Sequence, residues 1–182
     1  MSVILNVLPY HSREYRLRDP QTDTERYVIR QNQIVCWASL TPENSEQPSG
    51  NDIPKFPVTI DTGNGRNFNI REEQLASWAG LTNLVEVFGT NVLVNGQRVS
   101  LRKATLWLYR NIPGELTYDT NVEPFPIDFS DGIEVFTGSG ATSFPRLPLL
   151  GMRALHVSRL ELTINGPERR VFLRNLPTAS SK

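Results

Sequence analysis

The sequence predicts an all-β protein with one or two short helices. Turn residues recur at short intervals, and the segments between them are rich in Val, Ile, Leu, Tyr and Phe. Only "REEQLASWAGL" spaces its apolar residues clearly as a helix does, with Leu75, Trp78 and Ala79 on one face and Gly80 as the stop.

Taken in order, "EYRLRD", "ERYVIRQ" and "QIVCWASL" are the candidate strands of an N-terminal β segment. After them "TPENSEQPSGND", Thr41 to Asp52, is polar and proline-containing and reads as an exposed connection. This divides the chain into an N-terminal β segment with its linker, 1–50, a main domain, 51–176, and a frayed tail, 177–182. Within the main domain "FPVTID" is followed by the helix. "NVLVN" and "QRVSL" then form a hairpin around Asn95 and Gly96, which both tolerate the positive φ of a two-residue type I′ turn. "ATLWLYR" and "GIEVF" are strands separated by "RNIPGELTYDTNVEPFPIDFSDG", whose aromatics mark an ordered excursion. "LELTIN" and "RRVFLR" close the chain as a second hairpin, with a longer loop because Pro167 has no N–H to give.

Composition narrows the function. With 182 residues the chain is long enough for one domain with a core of its own. Lys plus Arg and Asp plus Glu both total 19, so no basic excess points to nucleic acid. Cys36 is the single cysteine and two histidines stand far apart, which excludes a disulfide framework and a zinc-ligand cluster. No metal or other cofactor is expected. A reducing, cytoplasmic compartment follows from the same cysteine count. No run approaches the roughly 18 apolar residues of a membrane span, so no membrane partner is expected.

The informative stretch is "FPVTIDTGNGRNFNI". It runs an apolar strand directly into a carboxylate, which is costly there unless hydrogen bonded or used. Thr62 and Gly63 supply a short hydroxyl and a flexible turn residue able to hold Asp61 facing a cleft. Further on, "LPLLGMRAL" places Leu149, Leu150 and Gly151 before a short helical pattern and the strand "LELTI".

In this order the motifs resemble the retropepsin-like aspartic proteases, whose active-site turn is Asp-Thr-Gly after apolar residues. Their second motif is two apolar residues and a glycine before a helix. Bacterial members place a helix with a Leu-Gly-Leu-like end after the catalytic turn, where "EEQLASWAGL" stands. The resemblance covers roughly Pro57 to Leu173. It departs at Asn64, where Ala or Ser is common, in the long excursion from Arg110 to Ser143, and in Met1 to Ser49, which has no counterpart.

The resemblance implies a closed retropepsin-like (acid protease) β-barrel and an aspartic endopeptidase. Asp61, Thr62 and Gly63 would be its catalytic turn, and Leu150 and Gly151 its second motif beside the substrate. The covering flap falls in "VEVFGTNVLVNGQRVSL", its tip either at Gly89 or at Asn95 and Gly96. Such chemistry needs two carboxyls sharing one proton. The chain has one Asp-Thr-Gly, since Asp119 in "YDTN" and Asp131 in "SDGI" lack the strand or the glycine. The second carboxyl is therefore expected from another copy, in a two-fold homodimer with Asp61 of each subunit at the axis, acting on a peptide or protein substrate.

Plainer readings stand beside this one. Asp61 can be a structural turn aspartate, and the fold can persist as a catalytically silent module that binds an extended peptide or serves dimerisation. Cys36 reads as core rather than as a thiol nucleophile with His11 or His156. "TGSGATS" lacks the lysine of a phosphate loop.

Overall fold

The computed structural model describes residues 2–19, 22–47, 53–94, 97–137 and 147–176. Its elements are β1 (Val3–Pro9), β2 (Tyr15–Asp19), β3 (Thr24–Ile29), β4 (Ile34–Pro42), β5 (Phe56–Asp61), β6 (Phe68–Arg71), α1 (Glu72–Ser77), β7 (Glu86–Val94), β8 (Gln97–Leu108), β9 (Phe125–Thr137), β10 (Leu149–Gly151), α2 (Met152–Val157), β11 (Leu160–Asn165) and β12 (Arg170–Asn175). Strands dominate and the helices are short, as the turn spacing predicts.

A closed barrel of six strands forms the centre, in the order β4-β5-β10-β6-β9-β8, with a β4–β8 pairing that completes the circle. Strand β7 continues the sheet outward from β8. Closure removes the open edges that an extended sheet would leave. The interior holds Cys36, Leu40, Phe56, Val58, Ile60, Phe68, Ile70, Leu106, Phe129 and Leu150, all buried. Burying such side chains stabilises by roughly 1.5–3 kcal/mol each against leaving them in water.

The barrel sheet draws strands from both sides of the division near residue 50. β4, from the N-terminal segment, pairs with β5 from Ile34↔Ile60 to Ala38↔Phe56 and with β8 from Ala38↔Leu108 to Pro42↔Ala104. Thr41, read in sequence as the start of the exposed linker, is buried within β4 and accepts the Trp107 indole N–H at 2.9 Å. Alternation along β4 explains its unbroken apolar run. Ile34, Cys36 and Ala38 face the barrel core. Val35 and Trp37 face outward into a second cluster with Tyr27, Ile29, Tyr109, Tyr118 and Leu147.

That second cluster seats the β2–β3 hairpin and the excursion after β8. Trp37 stands edge-on to Tyr27 and Tyr118, with centroids 5.9 and 5.5 Å apart, and donates its indole N–H to the Leu116 carbonyl at 2.7 Å. The excursion is thus ordered, as its aromatics indicate, and its end, from Phe125 to Gly132, belongs to β9 rather than to a loop. "QRVSL" and "ATLWLYR" are one strand, β8, with a register irregularity between Arg102 and Ala104.

A three-stranded sheet, β1-β12-β11, is hydrogen-bonded separately from the barrel sheet, and its Leu5, Leu8, Val171 and Leu173 pack into the same core. Its β11–β12 hairpin pairs up to Asn165↔Arg170, leaving a four-residue loop at Gly166 to Arg169, longer than a two-residue turn as Pro167 requires. Gly80 follows α1 with φ +68°, the left-handed stop expected of it. The tail at 177–182 and "TGSGATS" after its first residue, Thr137, lie outside the described residues.

Candidate functional site

Asp61 is the last residue of β5, half-buried where the strand leaves the barrel. Its Oδ1 accepts the Gly63 N–H at 2.9 Å, and its carbonyl accepts the Asn64 N–H at 3.1 Å. Two local bonds therefore fold the chain sharply after the carboxylate. Oδ2 takes no hydrogen bond from the described residues. Gly63 does not adopt positive φ. Its lack of a side chain serves closeness instead, since a Cβ there would stand 3.3 Å from Asp61 Oδ1.

The second motif meets the first directly. β10 runs between β5 and β6, parallel to β5 with Leu149↔Thr59, Leu150↔Ile60 and Gly151↔Asp61, and antiparallel to β6. The turn from Asp61 to Phe68 thus arches over the end of β10. Three backbone bonds fasten it there: Gly151 N–H to Asn67 O at 2.9 Å, Met152 N–H to Asn64 O at 2.7 Å, and Arg153 N–H to Arg66 O at 3.2 Å. These donors open α2, so the arch also satisfies amides that a helix start leaves unpaired. A Cβ on residue 151 would lie 2.2 Å from Arg66 O and 2.6 Å from Asn64 O, so only glycine fits.

Asp61 lines a cleft of about 700 Å³ with Thr59, Ile60, Thr62 and Leu149. Its other wall comes from distant chain segments: Tyr10, the β3–β4 turn with Arg30, Asn32 and Gln33, and Ile164 of β11. Asp61 is the one acid among these lining residues. Thr59 shares its strand face by the two-residue period, and its buried hydroxyl has no partner among the described residues. The alternation of "VTID" carries that signal. Nothing in the sequence signals Arg30 or Ile164, which reach the cleft through tertiary folding alone.

Of the residues singled out in sequence, Asp61, Thr62, Gly63 and Gly151 come together. Leu150 does not face the cleft: it is fully buried in the barrel, and its neighbour Leu149 lines the wall. Asn64, where the sequence departs from the resembled pattern, sends its amide away from Asp61 to Asn69. Gly89 lies within β7, and the register Val94↔Gln97 leaves two residues to the connection. Asn95 and Gly96 themselves lie outside the described residues.

Cys36 is buried, its Sγ 3.8 Å from the Val58 carbonyl, and burial pushes its thiol up to about 12, away from nucleophile chemistry. Groups of three or more potential metal ligands do not occur among the described residues. No helix is long and apolar enough to cross a membrane among them. No protein-family model, curated protein or solved structure matches the chain.

Proposed function

We propose that the chain is an aspartic endopeptidase in which Asp61 of two copies forms the catalytic pair. The observation that carries this reading is the placing of Asp61, the one acid lining its cleft, on a turn that a buried glycine strand clasps from behind. Such rigidity suits a carboxylate that must hold one geometry through a reaction.

In the proposed chemistry two carboxyls at hydrogen-bonding distance share one proton, because both cannot ionise together. The ionised member takes a proton from water as its oxygen attacks the scissile carbonyl. The protonated member donates to the carbonyl oxygen. Collapse of the tetrahedral intermediate returns a proton to the leaving amine. Thr62, exposed beside Asp61, is then the residue to bond across the two-fold axis.

Support for a second copy comes from β11, which pairs on one side only among the described residues. Its Ile164 is exposed and lines the cleft. Pairing β11 with its counterpart would extend the sheet beside Asp61, as unpaired edges favour.

The one acid in each copy's cleft also fits a second reading, a catalytically silent module that binds an extended peptide or serves dimerisation. Cleavage of a diverse peptide mixture by wild type and Asp61→Asn, followed by mass spectrometry from mildly acidic to neutral pH, separates the two. Cleavage that the substitution abolishes supports the peptidase. No cleavage by a folded dimer moves the assignment to the binding module.

A further inference from the structure

Behind the Asp61 turn lies a closed ring of polar side chains that the proposed chemistry does not consume. Glu134 of β9 and Asn69 of β6 are register partners in the parallel pairing of those strands, and both are buried. Asn69 Nδ2 donates to Glu134 Oε2, and Asn69 Oδ1 accepts from Asn64 Nδ2. Asn64 Oδ1 accepts the Arg66 backbone N–H at 3.1 Å, and Arg66 Nη1 returns to Glu134 Oε1 at 2.9 Å.

A carboxylate in a barrel wall costs more than an apolar side chain of the same volume, even when paired. What it supplies here is direction. Its two oxygens reach two points of one turn, Arg66 directly and Asn64 through Asn69. Those points are the ones whose carbonyls clasp Met152 and Arg153, and Asn64 also gives its N–H to Asp61. The side-chain ring and the backbone clasp therefore constrain the same residues.

We propose that Glu134 is a positioning residue for Asp61, acting through Asn69, Asn64 and Arg66 to hold the turn in its working geometry. The consequence for catalysis rests on the peptidase reading above, but the geometric claim does not. Loss of the ring frees the turn before it loosens the barrel.

Residue-resolved amide hydrogen exchange on the full chain tests this, comparing wild type, Glu134→Gln, Glu134→Ala and, as a control in the separate β2–β3 hairpin and the second cluster, Ile29→Ala. Alanine at 134 is expected to speed exchange at Gly63, Asn64 and Met152 on the order of tenfold or more relative to amides of β4 and β8, the scale of losing a buried charge-assisted bond. Glutamine keeps an acceptor for Asn69 and is expected to fall between alanine and wild type. The control is expected to leave the ratio unchanged. An unchanged ratio in both Glu134 variants, or equal acceleration throughout, overturns the proposal. If the alanine variant does not fold, the glutamine variant decides. Where Asp61-dependent cleavage is found, Glu134→Gln is expected to lower kcat with little change in KM. Absence of cleavage leaves the exchange result intact as the test.

Discussion

Gly151 stands opposite Asp61 in the parallel register of β10 and β5, and the loop after Asp61 closes over it from the far side. The two residues come from motifs 90 positions apart, yet the space at Gly151 is set by the turn that follows Asp61. Gly151→Ala forces a methyl group onto the Arg66 and Asn64 carbonyls, 2.2 and 2.6 Å from its carbon. Backbone rather than a flexible side chain must move, and three hydrogen bonds stretch with it. The expected cost is roughly 3 kcal/mol or more, at or beyond the upper end for overpacking. Urea unfolding of the purified variant measures it. An unchanged midpoint would mean that the arch opens at little cost and does not fix Asp61.

Cys36 lies between Ile34 and Ala38 on the inward face of β4, with its thiol pushed up to about 12 by burial. Native protein is therefore expected to resist thiol reagents at neutral pH and to react only as it unfolds. Adding denaturant during labelling checks this, since reactivity should rise with the unfolding transition. Rapid labelling of folded protein would show that the barrel opens at β4.

Trp37, on the opposite face of the same strand, ties the excursion to the barrel through the Leu116 carbonyl. Trp37→Phe keeps an aromatic ring against Tyr27 and Tyr118 but leaves that carbonyl without its donor. A loss of roughly 1 kcal/mol is expected, the lower end of the range for a stranded acceptor because Leu116 is only half-buried. Thermal unfolding reads it. Equal stability would mean that water replaces the indole at no cost.

These paired faces show where the sequence was readable. An apolar run such as "QIVCWASL" announces a strand buried on both sides, but its lack of period conceals which residues meet which cluster. β10 has three residues, too few for any periodic signal, and is legible only as an apolar pair before glycine. β6 escaped notice because Asn69 interrupts it. Its partner Glu134 lies 65 positions away, so the compensation that makes a buried amide tolerable is invisible locally. The Asp61 turn, by contrast, is closed by local bonds from Gly63 and Asn64, and its residue types announce it, although the bonds that fasten it to Gly151, Met152 and Arg153 are distant in sequence.

Glu134 also links the turn to pH. Burial outweighs Arg66 and Asn69 and raises its carboxyl above the ordinary 4.5. A carboxyl with a higher value folded than unfolded binds more protons in the native state between the two. Its contribution to stability is therefore fully present below the unfolded value and declines as pH rises through the folded one. Glu134→Gln removes that dependence. The stability deficit of the variant is expected to be largest below about pH 4, under the unfolded value, and to shrink as pH rises toward neutrality. Chemical unfolding of both proteins across that range checks the sign. A deficit that grows with pH would mean that the Arg66 pairing outweighs burial.

The proposed catalytic pair makes a kinetic demand as well. One copy lines its cleft with one acid, so a monomer has no partner carboxyl to hold the shared proton. If activity belongs to a dimer, specific activity must rise with protein concentration and level off once association is complete, in step with the dimer fraction from sedimentation. Ile164→Glu, on the exposed side of β11, tests the same point without touching Asp61. In the proposed dimer a charge on each copy at this edge would repel its counterpart, so the variant is expected to remain folded, to shift toward monomer, and to lose activity at low concentration while recovering some at high. Full activity in a strictly monomeric Ile164→Glu protein would remove the second copy from the mechanism and require an acid from elsewhere in the same chain.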